Sequence, residues 1–165
     1  MVPFIVWLIL ADQMYAAFIA FLLAGASDAL DGLIAKQFNL VTPLGTYLDP
    51  LADKILLVSI FITLGIQQGL PSWLVILVVS RDILIVGAII LSFLLELNMT
   101  IVPSKLSKIN TFCQISLAAI VLGDVGLDMG FSLGIEIFVY IVAITTILSG
   151  FSYILHWSQQ NSGKA

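Results

Sequence analysis

The sequence predicts an all-α integral membrane protein, and its composition is the first observation behind that fold class. Hydrophobic residues make up 61% of the 165-residue chain, charged residues make up only 10%, and the mean hydropathy is +1.16. A soluble domain carries about 25% charged residues, so a chain this poor in charge belongs in a lipid bilayer. The modest length and the many apolar runs predict one membrane domain over residues 1–165.

Apolar runs separated by turn signals predict a bundle of six transmembrane helices, of which the first is truncated. The first run, Val2–Leu10, is about half as long as the ~20 residues that a span needs, and no basic segment precedes it as in a signal peptide. We therefore expect the first half of that helix and an N-terminal juxtamembrane part to be absent from this chain. The other spans are expected at residues 15–37, 44–67, 73–97, 105–122 and 131–156, with turns at 11–13, 67–72 and 123–130 and a polar tail from residue 158.

The basic residues predict the orientation of these spans. Lys36, Lys105, Lys108 and Lys164 fall at ends that the predicted topology places on one side, and the opposite turns contain no lysine or arginine. Cytoplasmic loops carry the excess of basic residues, so this side is expected to face the cytoplasm from a cytoplasmic (inner) membrane. The net charge of −4 is no nucleic-acid signature, and we expect no nucleic-acid partner.

Two pairs of carboxylates interrupt the apolar pattern. Asp28 and Asp31 are three residues apart, and Asp49 and Asp53 are four apart, so each pair shares a helix face. Ionisable groups within spans are costly, and four clustered anions repel one another unless a cation joins them. Oxygen ligands favour magnesium, manganese or calcium, and two facing pairs of carboxylates are enough for two ions. The spacing therefore predicts a divalent metal site near the cytoplasmic helix ends.

Small residues and one lysine accompany the carboxylates. Gly32 and Gly45 leave room for a close approach of helices or of a ligand, and Lys36 lies one turn beyond Gly32, where it could pair with a phosphate. Paired metals beside a cation suit phosphoryl-type transfer, because they neutralise a diphosphate and activate an attacking oxygen.

These residues resemble a known signature. The stretch 28–53 closely resembles the motif D-x-x-D-G-x-x-A-R-x8-G-x3-D-x3-D of the CDP-alcohol phosphatidyltransferases, and only Lys36 departs from it, standing where the family has arginine. The resemblance extends through Ser80-Arg81-Asp82, residues 103–111 and Ser152-Tyr153, which are most similar to the cardiolipin synthase branch of that family.

The resemblance implies a fold, a reaction and roles for individual residues. The implied fold has six transmembrane helices, a polar cavity open to the cytoplasm and a homodimeric assembly. Asp28, Asp31 and Asp49 would bind Mg²⁺ or Mn²⁺, expected as two ions, and Asp53 would complete that site and act as the general base. The implied contacts to CDP-diacylglycerol come from Gly32, Ala35, Lys36 and Gly45.

The implied activity is transfer of a phosphatidyl group from CDP-diacylglycerol to an alcohol with release of CMP, in phospholipid biosynthesis. Phosphatidylglycerol is the expected acceptor, and glycerol 3-phosphate is the alternative. More remote alternatives are a structural polar cluster, a cation-transport site, or a shortened relative that only assembles with an active enzyme. Ion flux in vesicles, as opposed to release of CMP, would identify a transporter.

Three basic residues allow two interpretations each. Arg81 could neutralise its neighbour Asp82, although adjacent residues point about 100° apart on a helix, or it could bind an acceptor phosphate. Lys105 and Lys108 share a helix face, where they could anchor the cytoplasmic side or bind an anionic headgroup.

Overall fold

The computed structural model describes the backbone of residues 1–37, 43–94 and 105–162, and the side chains of residues 1–28, 30, 54–87 and 106–152. All regular secondary structure in these ranges is helical, which confirms the all-α class. The helices are α1 (Val2–Leu10), α2 (Met14–Gln37), α3 (Pro43–Ile66), α4 (Ser72–Leu94), α5 (Lys105–Leu127) and α6 (Ser132–Ser162).

The last two helices are long and apolar enough to cross a membrane. The segments Leu106–Leu127 and Ser132–Ser152 meet that test within the described residues, and Met14–Asp28 and Lys54–Ile66 are shorter apolar helices. Within an 18-residue apolar stretch of Ser132–Ser152, only 28% of the residues are buried within the protein. An exposed apolar surface of this extent is typical of a helix that contacts lipid.

The chain forms two compact units, and the first comprises Met1–Leu70 and Ala118–Ser132. In this unit α1 packs against both α2 and α3. The core is apolar, with Ile5, Ile9, Ile60 and Phe61 fully buried. The side chain of Gln67, just beyond α3, donates a hydrogen bond of 3.1 Å from Nε2 to the backbone oxygen of Ile9 near the end of α1. This bond fixes the ends of α1 and α3 side by side.

The end of α5 also belongs to the first unit, and it corrects one prediction. The glycine-rich stretch 123–130 was expected to be a turn, but α5 continues to Leu127. A Cβ atom on Gly126 would lie 2.8 Å from the Cα of Tyr15, and one on Gly123 would lie 3.2 Å from the ring of Phe18. These two glycines therefore permit a close helix contact with α2, and the turn begins only at Asp128.

Three helices end in the same way, with a residue in the left-handed conformation. These residues are Asp12 (φ 60°), Gln68 (φ 59°) and Asp128 (φ 53°). After α1, the amides of Asp12 and Gln13 bond to the carbonyls of Ile9 and Leu8. After α3, the same pair of bonds runs from residues 68 and 69 to residues 65 and 64, which is the Schellman geometry. The predicted turns at 11–13 and 67–72 are thereby confirmed.

The second unit comprises Pro71–Leu117 and Leu133–Ala165, so it contains α4, the first half of α5 and nearly all of α6. Its apolar core includes Leu74, Val78, Leu117 and Val142, each fully buried. Trp73 lies beside Tyr140 with ring centroids 6.2 Å apart. The helix α6 extends to Ser162, beyond the predicted end of this span near residue 156.

Candidate active site

The first carboxylate pair lies on α2, which is helical without interruption from Met14 to Gln37. Because the helix is continuous, Asp28 and Asp31 occupy one face of it, as their spacing predicts. Asp28 is exposed. The side chains of Asp31, Ala35 and Lys36 and the surroundings of Gly32 lie outside the described residues, so the roles of these four residues stay predictions.

The second pair lies on α3, which is helical from Pro43 to Ile66. Proline is well suited to the first position of a helix because its missing N–H has no intrahelical acceptor there. Asp49 and Asp53 are one turn apart on this helix, and Gly45 lies one turn before Asp49. The side chains of Asp49 and Asp53 and the surroundings of Gly45 lie outside the described residues.

The fit of these residues to a divalent metal can be judged from their chemistry and register. Four carboxylates at spacings of three and four on two helices are the hard oxygen donors that Mg²⁺ and Mn²⁺ prefer. Among the described side chains no cluster of three possible metal ligands occurs, and three of the four predicted ligands are not among them. The metal site therefore remains a prediction, and the helical register of the four aspartates is compatible with it.

A cavity of about 510 Å³ in the first unit is not this site. It is lined by residues 12–16 at the beginning of α2 and by Val125 and Gly126 at the end of α5. Tyr15 in its wall is 13 residues before Asp28 on the same helix, which corresponds to about 20 Å along the axis at ~1.5 Å per residue.

In the second unit, Arg81 lies at the centre of a buried polar cluster. Its Nη1 atom is 2.6 Å from Oδ1 of Asp82, and the two side chains are 5% and 2% exposed. Its Nη2 atom donates to Ser107 Oγ of α5 at 2.8 Å and also to Ser149 Oγ of α6. Adjacent helix positions point about 100° apart, which disfavours a direct ion pair between Arg81 and Asp82. The pair forms nevertheless, because the long arginine side chain can bend towards its neighbour.

A second polar cluster lies one turn further along α5. Oδ1 of Asn110 accepts hydrogen bonds of 2.9 Å from the hydroxyls of Thr145 and Thr146 on α6. Asn110 and Gln114 are both fully buried. Sequence reasoning did not single out these two amides. The spacing of Ser107, Asn110 and Gln114, three and then four residues, could have identified them as one face of α5.

The two lysines predicted to bind the acceptor lie at the beginning of α5. Lys105 is the first residue of the helix, and its side chain lies outside the described residues. Lys108 is exposed and follows Ser107, the partner of Arg81. The helical backbone places both lysines on one face, in agreement with their spacing.

Comparison with known proteins identifies the family. The model of the CDP-alcohol phosphatidyltransferase family matches residues 1–158, which is nearly the whole chain. The chain belongs to the CDP-alcohol phosphatidyltransferase family. This result confirms the resemblance carried by the aspartate motif, and with it the prediction of an enzyme, a transferase of phospholipid biosynthesis.

Curated relatives of this phosphatidyltransferase fall in two groups. The chain is 34% identical to a fusion protein of Schizosaccharomyces pombe named cardiolipin synthase (CMP-forming) / mitochondrial hydrolase, and 31% identical to the cardiolipin synthase (CMP-forming) of Rattus norvegicus. It is 36% identical to the CDP-diacylglycerol–glycerol-3-phosphate 3-phosphatidyltransferase of Rickettsia bellii. The two groups differ in the acceptor that their names imply, so the family does not decide the acceptor.

The alignments cover different shares of the relatives. The alignment with the fusion protein covers 99% of this chain and 30% of that protein. The alignment with the rat enzyme covers 92% of this chain and 55% of the enzyme. The alignment with the Rickettsia enzyme covers 81% of this chain and 74% of the enzyme. The chain thus spans about a third to three quarters of the length of these relatives.

Proposed function

We propose that this protein transfers the phosphatidyl group of CDP-diacylglycerol to an alcohol acceptor and releases CMP. The observation that carries the proposal is the match of the family model to residues 1–158, which includes the full aspartate motif. The continuous helices α2 and α3 support it, because they give both carboxylate pairs the register that a shared metal site needs.

In the proposed reaction the acceptor hydroxyl oxygen forms a bond to the lipid-side phosphorus of CDP-diacylglycerol. The bond from that phosphorus to the oxygen of CMP breaks, and CMP leaves with the electron pair. Asp53 accepts the hydroxyl proton as the general base. Lys36 pairs with the diphosphate, and Gly32, Ala35 and Gly45 leave room for the nucleotide.

A divalent cation, Mg²⁺ or Mn²⁺, would be held by Asp28, Asp31, Asp49 and Asp53, which provide ligands for two ions. When bound, it would neutralise charge on the diphosphate and on the leaving CMP. The role of the four aspartates would be to hold the cations at the cytoplasmic ends of α2 and α3.

We propose phosphatidylglycerol as the acceptor and glycerol 3-phosphate as the second candidate. The yeast and rat relatives named cardiolipin synthase align over nearly all of the chain, which favours the first. The Rickettsia relative, named for glycerol 3-phosphate, favours the second. Arg81, Lys105 and Lys108 are the proposed contacts to the acceptor, with Nε of Arg81 directed to its phosphate.

The proposed setting is a six-span bundle in the cytoplasmic membrane, built as one domain, with a polar cavity open to the cytoplasm and two copies forming a homodimer. The candidate spans Leu106–Leu127 and Ser132–Ser152 support membrane insertion. The one-sided distribution of lysines supports the cytoplasmic orientation.

The deciding experiment offers purified protein CDP-diacylglycerol and Mg²⁺ with each alcohol in turn, and identifies the lipid product by mass spectrometry. We expect cardiolipin and CMP from phosphatidylglycerol, and no turnover in excess EDTA. Phosphatidylglycerophosphate as the sole product would establish glycerol 3-phosphate as the acceptor, and full activity in EDTA would contradict the metal site.

A further inference from the structure

One charged residue interrupts the apolar surface of α6. Glu136 is the only charged residue of the sequence between residues 132 and 152, and its side chain is exposed. Exposed apolar or aromatic side chains accompany it along the helix, namely Leu133, Ile137 and Tyr140. The helix is a candidate membrane span, and a carboxylate on the lipid-facing surface of a span is costly unless its charge is compensated.

The chain itself offers Glu136 little compensation. No lysine or arginine occurs in the sequence between Lys108 and Lys164, and Arg81 is paired with Asp82. Among the described side chains, Glu136 takes part in no ion pair. The carboxylate is therefore stabilised by the beginning of α6, by water, or by a cationic ligand, and its surroundings distinguish these three cases.

Two aromatic rings lie beside this carboxylate. Tyr140 follows Glu136 by four residues, so their side chains are neighbours on one face of α6, with Cβ atoms about 5–6 Å apart. The ring of Tyr140 lies beside that of Trp73 on α4, with centroids 6.2 Å apart and ring planes tilted by 34°. Trp73 and Tyr140 are 47% and 56% exposed, and all three residues belong to the second unit.

The spacing of the two rings suits a single cation. A cation about 4 Å above the midpoint of the two centroids would lie about 5 Å from each, within the ~6 Å at which cation–π attraction acts. The carboxylate of Glu136 adds an opposite charge and accepts hydrogen bonds from N–H groups. Aromatic faces beside a carboxylate are the chemistry that recognises an ammonium ion.

The position of these residues corresponds to the level of lipid headgroups. Trp73 is the second residue of α4 and Glu136 is the fifth of α6, so both lie near helix beginnings, which the predicted orientation places at the non-cytoplasmic surface. The exposed apolar surface of α6 continues from there through Ile144 and Ile147. A soluble amine would leave that surface uncovered, whereas the acyl chains of a lipid cover it.

We propose that Glu136, Trp73 and Tyr140 bind the headgroup of a lipid that carries an ammonium group, as phosphatidylethanolamine does. The ammonium lies over the two rings and donates hydrogen bonds to the carboxylate, and the acyl chains extend along the apolar surface of α6. The site lies within the second unit alone. It does not depend on the proposed phosphatidyl transfer, because the bound lipid is neither CDP-diacylglycerol nor the acceptor.

The test titrates the purified protein in detergent with phosphatidylethanolamine and counts bound lipids by native mass spectrometry. The comparison lipid is the same molecule with its amine acetylated, which keeps the phosphate and the acyl chains and removes the positive charge. Wild type should bind the ammonium lipid about tenfold more tightly than the acetylated one, the scale of a hydrogen bond between charged groups. Glu136→Gln should abolish most of this preference, and Trp73→Leu should reduce it about threefold.

The matched control is Trp7→Leu in the first unit. Trp7 and Phe4 form the other aromatic pair among the described residues, with centroids 6.3 Å apart, and both are more than half exposed. The helix that carries them, α1, has no acidic residue. Trp7→Leu should therefore leave the preference unchanged. Since all the substituted side chains are exposed, the thermal unfolding temperature should change little in each variant.

Three results would overturn the inference. Equal affinity of wild type for the two lipids would show that the ammonium group is not recognised. An unchanged preference in Glu136→Gln would leave the carboxylate only a role in stabilising the beginning of α6. An equal loss in Trp7→Leu and Trp73→Leu would mean that any exposed tryptophan produces the preference, without a specific site.

Discussion

The two units differ in where their polar groups lie. Among the described side chains of the first unit, Thr63 is the buried polar residue, and its hydroxyl bonds to a backbone oxygen of its own helix. Among the side chains described in the second unit, six polar or charged ones are buried, each at most 5% exposed: Arg81, Asp82, Asn110, Gln114, Thr146 and Ser149. In the part that the structure describes, the core of the first unit is held mainly by apolar contacts and close backbone approach, and that of the second unit also by buried hydrogen bonds between side chains.

This difference has consequences for how each unit responds to substitution. In the first unit, where apolar side chains pack, a change of side-chain volume should lower the stability in proportion to the size of the change. In the second, removal of one partner leaves the others buried and unbonded, so several groups lose stabilisation together. We therefore expect substitutions of the four aspartates to change activity with little effect on folding, and substitution of Arg81 to lower the stability of the second unit.

The largest effect expected concerns Asp49, in the first unit. Asp49→Asn removes a charge shared between the proposed cations, and we expect the rate of CMP release to fall by at least about 100-fold. The thermal unfolding temperature should change little. The matched control is Asp128→Asn, an exposed turn residue of the same unit, which should keep full activity. Equal activity of the two variants would contradict the metal site.

Asp53→Asn separates the general base from a metal ligand. If Asp53 takes the hydroxyl proton, a saturating concentration of Mn²⁺ should restore metal binding, measured by electron paramagnetic resonance, but not turnover. Full recovery of the rate at high metal concentration would show that Asp53 acts only as a ligand.

In the second unit the expected effect is on stability. Arg81→Leu removes the guanidinium that lies 2.6 Å from the buried Asp82 carboxylate, and breaking such a pair costs about 3–5 kcal/mol. Thermal or denaturant unfolding in detergent measures this loss. The double variant Arg81→Leu with Asp82→Leu should recover most of it, because both charges of the buried pair are replaced by apolar side chains. If Arg81→Leu alone is as stable as wild type, the buried polar cluster does not stabilise the second unit, and the proposed difference between the two units is wrong.

A smaller effect is expected at Lys36, where the family motif has arginine. Lys36→Ala should weaken binding of CDP-diacylglycerol by about 1–3 kcal/mol, the scale of a hydrogen bond between charged groups. Lys36→Arg should bind at least as well as wild type, since a guanidinium suits phosphate geometry better. An unchanged affinity in correctly inserted Lys36→Ala protein would identify the lysine as a topological anchor.

The smallest effect is expected at the close contact of α5 with α2. Gly126→Ala places a Cβ 2.8 Å from the backbone of Tyr15, and we expect a loss of about 1–2 kcal/mol in stability after the gain in helix propensity is counted. Gly25→Ala is the matched control, because nothing lies within 4 Å of its added Cβ. If both substitutions stabilise the protein, the contact is looser than described.

The helices could be predicted well from the sequence, because apolar runs indicate burial and turn residues indicate breaks in the backbone. The turn predicted at Gly123 and Gly126 was wrong, since glycine occurs both in turns and where two helices approach closely. Only the contact of Gly126 with Tyr15 distinguishes these two cases. The register of the aspartates followed from spacing alone. The partners of Arg81 and Asn110 did not, because Ser149 and Thr146 come from a helix far along the chain, and spacing within one helix says nothing about its neighbours.

The three left-handed turns affect how the protein can be labelled. Each is closed by backbone hydrogen bonds within a few residues of Asp12, Gln68 or Asp128, so an inserted epitope would open them. A single thiol avoids that damage. Cys113 is the only cysteine of the chain, and once it is replaced, a cysteine at exposed Gln68 would give one reactive group at the end of α3. A membrane-impermeant maleimide could then report the sidedness of this turn in intact cells.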